Sequence, residues 1–75
     1  MKSFSYVNAR GFNKIIEVYP EKTNEQGDYY YEIWAGQNST METTGVLCGT
    51  DYASKYDLNE FFTYYGIDFQ FPEDE

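Results

Sequence analysis

Carboxylates are the most frequent side chains in this sequence that can do chemistry. Thirteen Asp and Glu residues stand against five Lys and Arg residues, which gives a formal net charge of −8. Asp57 and Glu60 are three positions apart, and such a pair could in principle serve as acid and base. At the beginning of a helix the same spacing favours capping of the first turn, and this is the interpretation we adopt.

Most other catalytic chemistry is excluded by the residue types that the sequence lacks. There is no histidine, so the commonest general base is missing and catalysis of the Ser-His-Asp or Cys-His type is not available. Cys48 is the only cysteine, which rules out an intrachain disulfide and a zinc site. No phosphate-binding loop or calcium-loop pattern occurs. We therefore predict a protein that is not an enzyme and has no cofactor or metal.

The lone thiol has a structural interpretation. Cys48 lies in an apolar run with Val46 and Leu47 and has no basic residue beside it in the sequence. Because an activated cysteine needs a nearby positive charge, we predict that Cys48 is a buried structural thiol and not a nucleophile.

The acidic residues are unevenly distributed along the chain. Residues 1–55 contain seven acids and all five bases, whereas residues 56–75 contain six acids and no base. Direct binding to nucleic acid or to an anionic membrane is disfavoured, because both need clustered Lys or Arg. The charge instead favours a basic protein surface, for example one that normally holds nucleic acid. The alternative is that the acids only keep the protein soluble.

Aromatic side chains are the second distinctive feature, with nine Tyr, six Phe and one Trp in 75 residues. They are densest in residues 29–35, which we predict to be a strand because of their high β propensity. Alternation places Tyr29, Tyr31, Ile33 and Ala35 on one face and Tyr30, Glu32 and Trp34 on the other. If a helix covers the first set, the second exposes two aromatic rings that flank a carboxylate. Such a face suits partner binding, but it is also common on sheet surfaces.

A single helix is predicted over residues 54–66, and it is the element that must cover the sheet. Its apolar residues recur at i, i+3, i+4 and i+7, namely Leu58, Phe61, Phe62 and Tyr65. Ser54 can cap the first turn with Asp57 as its partner, or Asp57 can cap it with Glu60. Gly66 supplies the left-handed residue that ends the helix.

Further strands are predicted over residues 3–7, 12–19 and 40–48. A turn around Gly11 joins the first two, and Pro20 is expected to end the second because proline cannot donate to a sheet ladder. Gly45 predicts a bulge or a sheet edge in the fourth strand. Residues 67–71 are a candidate fifth strand with Ile67, Phe69 and Phe71 on one side.

The elements predict an α+β fold with one helix packed on one face of an antiparallel sheet. The order is ββββα, or ββββαβ if residues 67–71 form a fifth strand. We expect a single domain over residues 1–72 and an acidic tail over residues 73–75. Since no N-terminal apolar run and no stretch of roughly 20 apolar residues occurs, we predict a cytoplasmic protein.

The layout resembles that of small phage-encoded anti-CRISPR proteins. The residues concerned are the opening Met1 and Lys2, the Tyr6-Val7 pair, the strand end 16–19, and residues 51–54 running into Leu58 and an aromatic helix ended by Gly66. The resemblance covers residues 1–66, and the layout is similar to that of a type I-F inhibitor with a four-stranded sheet and one helix. It implies a protein that blocks a crRNA-guided surveillance complex. Unlike that inhibitor, this chain has no basic residues towards its C-terminus.

We therefore predict a stoichiometric inhibitor that acts in the cytoplasm of a host cell. Its partner would be a basic surface of a CRISPR–Cas effector or of another nucleic-acid-binding defence protein. The predicted partner-binding residues are Tyr30, Glu32, Trp34, Asp57, Glu60, Tyr64, Asp68, Glu73, Asp74 and Glu75. The alternative is an interaction module without a link to nucleic-acid machinery, which uses a strand edge or its aromatic face to form a homodimer.

Overall fold

The computed structural model describes residues 1–37, 43–69 and 71. The elements are β1 (Lys2–Val7), β2 (Asn13–Thr23), β3 (Tyr29–Gly36), β4 (Thr43–Ala53) and helix α1 (Lys55–Tyr64). The four strands form one antiparallel sheet in the order β1-β2-β3-β4, so that β1 and β4 are its edges. The predicted α+β class and the order ββββα are confirmed.

Both predicted ends of the helix are confirmed. The Ser54 hydroxyl accepts a hydrogen bond from the backbone N–H of Asp57 at 3.0 Å, so Ser54 is the cap and the alternative with Asp57 as cap is wrong. At the other end Gly66 has a φ of 69°, which favours glycine. Its N–H donates to the carbonyl of Thr63, and that of Ile67 donates to the carbonyl of Phe62. This pattern is a Schellman motif.

The hydrophobic core lies between α1 and one face of the sheet, which we call the inner face. The buried core residues are Ile16, Val18, Tyr29, Leu58 and Phe62. Phe61 is half-buried and packs against them, so the predicted apolar stripe does face the sheet. Residues 67–69 and 71 are not in a strand, yet Ile67, Phe69 and Phe71 also pack on the core. The described part of the chain therefore has no fifth strand. The segment after the helix instead adds apolar side chains to the layer that α1 forms over the sheet.

Two predicted strand boundaries are wrong. β2 continues past Pro20 to Thr23, because the β2–β3 register shifts between Tyr19 and Thr23 and no ladder hydrogen bond is needed from the proline. β4 was predicted to end at Cys48, but residues 49–53 pair with the first half of β3 and extend it to Ala53. The predicted strand residues 40–42 and the predicted tail residues 73–75 lie outside the described residues.

Irregular pairing at the β4 edge also explains why the predicted burial of Cys48 is wrong. Gly45 has a φ of 84° and lies where the β3–β4 register shifts, so the predicted bulge and edge are both found. A second shift lies between the pairs Ile33–Gly49 and Trp34–Leu47 and leaves Cys48 between them. Cys48 is therefore exposed on an edge strand and not buried, and the Lys14 ammonium donates to its sulfur at 3.3 Å.

Candidate functional site

The face of the sheet that points away from α1, which we call the outer face, is organised in three rows across β2, β3 and β4. Direct register places Tyr19, Tyr30 and Tyr52 in one row, Glu17, Glu32 and Thr50 in the next, and Ile15, Trp34 and Leu47 in the third. Neighbouring side chains in such rows are in contact distance. The outer face is thus a band of tyrosines beside a pair of carboxylates and an apolar row.

Glu32 lies at the centre of this face and accepts hydrogen bonds from three aromatic side chains. The Tyr30 hydroxyl donates to its Oε2 atom at 2.8 Å, and the indole Nε1 of Trp34 donates to its Oε1 atom at 3.1 Å. The Tyr19 hydroxyl donates to the same Oε1 atom at 3.3 Å. The structure therefore brings the predicted residues Tyr30, Glu32 and Trp34 into direct contact and adds Tyr19, which the sequence analysis did not select.

A second carboxylate shares this network. Glu17 is directly opposite Glu32 in the β2–β3 register, an arrangement in which two like charges repel. The Tyr19 hydroxyl donates to Glu17 at 3.1 Å as well as to Glu32, so its single proton lies between the two carboxylates. The repulsion is reduced by this shared donor.

The hydrogen bonds set the charge state of the cluster. Donation from Tyr30, together with that from Trp34 and Tyr19, lowers the pKa of Glu32, although desolvation acts in the opposite direction. The hydrogen bond to Glu32 raises the pKa of Tyr30. Desolvation, together with the hydrogen bond to Glu17, raises the pKa of Tyr19 to about 12. At neutral pH the cluster therefore consists of a charged Glu32 held by neutral phenol donors.

These shifts predict how stability depends on pH. The interactions that lower the pKa of Glu32 stabilise the fold at pH values above 4.5, the ordinary pKa of this side chain. This stabilisation is lost as the pH falls through the lowered pKa. Because the pKa of Tyr19 is raised, this side chain contributes to stability at pH values below 10.0, its ordinary pKa. That contribution is lost as the pH rises towards 12.

We expect Glu32→Gln to move the pKa of Tyr30 down towards 10.0, because the charged acceptor is gone. An NMR titration of carbon-13-labelled tyrosine rings measures this change. Tyr6 is the internal control, since burial on the inner face raises its pKa to about 12 and the substitution does not alter that burial. An unchanged Tyr30 titration in the variant would contradict the hydrogen-bond network described above.

The remaining predicted residues are not part of the outer face. Asp57, Glu60 and Tyr64 are exposed on α1, on the opposite side of the sheet, and Glu60 accepts a hydrogen bond from the Tyr56 hydroxyl at 2.9 Å. Asp68 is exposed after the helix. Glu73, Asp74 and Glu75 lie outside the described residues. The predicted residues are therefore divided between at least two separate surfaces.

The residues that sequence analysis missed are Glu17, Tyr19 and Tyr52. Alternation within β2 does place Ile15, Glu17 and Tyr19 on one face, so the sequence contained part of the information needed to find Glu17 and Tyr19. What was missing is the cross-strand register, which decides that Glu17 meets Glu32 and that Tyr19 meets Tyr30. Tyr52 was missed because β4 was predicted to end before it.

A cleft of about 380 Å³ also opens between α1 and the inner face of the sheet. Among the described residues its lining is mostly apolar, and it includes the Asp57 carboxylate and the hydroxyl groups of Tyr6 and Tyr31. Within residues 1–37, 43–69 and 71, no three His, Cys, Asp or Glu side chains come together in a way that could hold a metal ion.

The fold and the outer face define a small α+β protein with an acidic, tyrosine-rich sheet surface. Comparison with protein-family models, curated proteins and solved structures found no match. No helix in the described part of the chain is long and apolar enough to cross a membrane.

Proposed function

We propose that this is a non-enzymatic binding protein whose outer face binds a basic protein surface. The observation that carries the proposal is the Glu32 carboxylate, which Tyr19, Tyr30 and Trp34 hold in place on a sheet face that no helix of the described chain covers. Because its hydrogen bonds already hold the Glu32 side chain among aromatic rings, this side chain loses little conformational freedom when a partner binds. Tyrosine and tryptophan are also frequent among the residues that contribute most to protein interfaces.

The charge balance of the chain supports a basic partner. Among the described residues the single ion pair joins the Met1 amino group to Glu21 at 3.8 Å. Glu17 and Glu32 therefore keep their charges available to a partner. A net charge of −8 also increases the rate of encounter with a basic surface, and salt should weaken that effect.

The more specific form of the proposal is a stoichiometric inhibitor of a nucleic-acid-guided defence complex in the host cytoplasm. The resemblance of residues 1–66 to anti-CRISPR proteins supports it, and so does the carboxylate pair on the outer face. Carboxylates on a rigid sheet can occupy a basic groove in place of DNA phosphates, so that target DNA is excluded. In this form the protein contacts the groove and not the nucleic acid itself.

Inhibition of DNA binding by purified effector complexes, including a type I-F complex, tests this form directly. We expect one of them to lose its target DNA at about one equivalent of the protein, as measured by fluorescence anisotropy of labelled DNA. Glu32→Gln should weaken the inhibition, whereas Glu60→Gln, the same change on the helix, should not. Unchanged DNA binding by all the complexes in excess protein would exclude inhibition of these effectors.

Self-association through β4 is a second candidate function, which one observation favours. β4 is an edge strand of eleven residues, and its Val46, Leu47 and Tyr52 are 58%, 47% and 45% exposed. Unpaired edges with apolar side chains are suited to pairing with another strand.

If β4 pairs with a second copy, sedimentation should show a dimer that Leu47→Lys converts to monomer. Thr63→Lys on the exposed side of α1 is the matched control and should leave the dimer intact. A parent protein that sediments as a monomer at all concentrations would exclude this function.

A further inference from the structure

We propose that the Tyr19–Tyr30 ring pair is a cation-binding site, which Lys22 occupies in the isolated protein and which accepts an arginine side chain of the partner. The identity of the partner rests on the function proposed above. The site itself does not, because a cation is already seen in it. We call the ring pair of Tyr19 and Tyr30 the cation site.

The geometry of the rings carries this assignment. The Lys22 ammonium lies 4.8 Å from the ring centroid of Tyr19 and 5.3 Å from that of Tyr30. The two centroids are 5.4 Å apart and the ring planes meet at 49°, so one cation contacts both rings at once. Distances under about 6 Å are those of cation–π interactions.

The hydroxyl groups of the same rings contact the carboxylates. Tyr30 donates to Glu32, and Tyr19 donates to both Glu17 and Glu32. Donation to an anion polarises a phenol and increases the negative charge on its ring, which strengthens its attraction for a cation. The hydrogen bonds also hold the rings in position. The cation site is thus formed before any partner arrives.

Lys22 is a replaceable occupant. It is exposed near the end of β2, and no described carboxylate lies within ion-pair distance of its ammonium. Its ammonium is therefore held by exposed cation–π contacts with the two rings, at the end of a flexible side chain. Removing Lys22 should leave the rings in place and open the site.

An arginine side chain of a partner can make contacts that Lys22 does not make. A guanidinium group stacks on an aromatic ring and presents a planar fork of donors that matches a carboxylate. Because Glu17 and Glu32 lie at the hydroxyl groups of the two rings, one arginine could use both kinds of contact. The cation site should therefore prefer arginine to lysine, and Lys22 should compete with the partner's arginine.

N-acetylarginine amide is a suitable probe, titrated at constant ionic strength into protein with carbon-13-labelled tyrosine rings. We expect Lys22→Met to bind the probe about two- to fivefold more tightly than the parent, because the internal competitor is gone. Lys55→Met is the matched control, since it removes the same charge on α1, on the other side of the sheet. Its affinity for the probe should stay close to that of the parent.

Removal of the rings should give the opposite result. Tyr19→Leu and Tyr30→Leu, each checked by its melting curve, should abolish the binding of the probe in the Lys22→Met background. Two variants are used because either one alone could disturb β2 or β3.

Equal affinity of the Lys22→Met and Lys55→Met variants for the probe would overturn the proposal that the ring pair binds a cation. This outcome is independent of whether a basic protein binds the outer face, since the probe needs no partner. Conversely, probe binding that strengthens in Lys22→Met would support the cation site even if no effector complex is inhibited.

Discussion

Phe62→Ala should leave the protein largely unfolded at 25 °C. The Phe62 side chain is 1% exposed, and its ring centroid lies 5.6 Å from that of Phe4 and 5.3 Å from that of Phe69. Removing a buried phenylalanine ring costs about 3–5 kcal/mol of the free energy of unfolding. A single core of this size supplies roughly 3–5 kcal/mol in total, so almost nothing would remain. Thermal melting followed by circular dichroism measures the loss.

Tyr64→Ala is the control for this experiment, because Tyr64 is on the same helix but is 78% exposed. It should melt close to the parent. Phe61→Ala should fall between the two, since Phe61 is only half-buried. A Phe62→Ala protein that melts like the Tyr64→Ala protein would show that α1 does not cover the sheet as described.

Glu32→Lys should reduce the affinity for the partner by about 30-fold or more, which corresponds to about 2 kcal/mol. The change removes the acceptor of three hydrogen bonds and places a positive charge where a basic surface must dock. Glu60→Lys makes the same charge change on α1 and should reduce affinity only slightly, through long-range electrostatics. Surface plasmon resonance at two salt concentrations separates the local effect from the long-range one.

Equal losses for the Glu32→Lys and Glu60→Lys proteins would mean that net charge, and not the outer face, determines binding. A melting curve of each variant is needed, because Glu32 is only partly exposed. If Glu32→Lys lowers stability, Glu32→Gln removes the charge without adding bulk and should still weaken binding more than Glu60→Gln does.

Trp34 is a less suitable probe than its place on the outer face suggests, for a reason that only the structure shows. Ile15 lies directly opposite Trp34 on the outer face, yet it is 0% exposed and is not part of the core under α1. Its neighbours on the outer face must therefore cover it. Trp34→Ala would uncover Ile15 and mix a loss of stability with a loss of binding. Trp34→Phe keeps Ile15 covered and removes only the indole N–H that donates to Glu32.

The parts of the fold that sequence predicted well depend on local signals. Ser54 and Gly66 act on hydrogen bonds within one turn of the helix, so residue type and spacing were sufficient to place both ends. Strict alternation in β3 likewise separated Tyr29 and Tyr31 from Tyr30 and Glu32. Burial of Tyr29 in the core confirms which set faces the helix.

The errors arose where a neighbouring strand decides the outcome. Pro20 ends a strand only if its missing N–H is required by the ladder, and a register shift in β2–β3 removes that requirement. Residues 49–53 have weak strand propensity, but pairing with β3 makes them a strand. Cys48 was predicted to be buried from its apolar neighbours, and it is exposed because β4 is an edge strand with irregular pairing.

The candidate site shows the same limit. Tyr30, Glu32 and Trp34 could be selected because they share one strand and one face. Their hydrogen bonds with Tyr19, and the opposition of Glu17 to Glu32, depend on the β2–β3 register. The contact of Lys22 with two rings depends on both the register and the extension of β2 past Pro20.

Photo-crosslinking from single positions tests the binding face most directly. p-Benzoylphenylalanine in place of Tyr52, which is 45% exposed beside Tyr30, puts the crosslinker on the outer face without removing a donor to Glu32. In place of Tyr64 it puts the same group on α1, on the opposite side of the sheet. With an effector complex that the protein inhibits, we expect strong crosslinks from position 52 and few from position 64. Crosslinks from position 64 alone, with inhibition intact in both proteins, would show that the helix and not the outer face binds the partner.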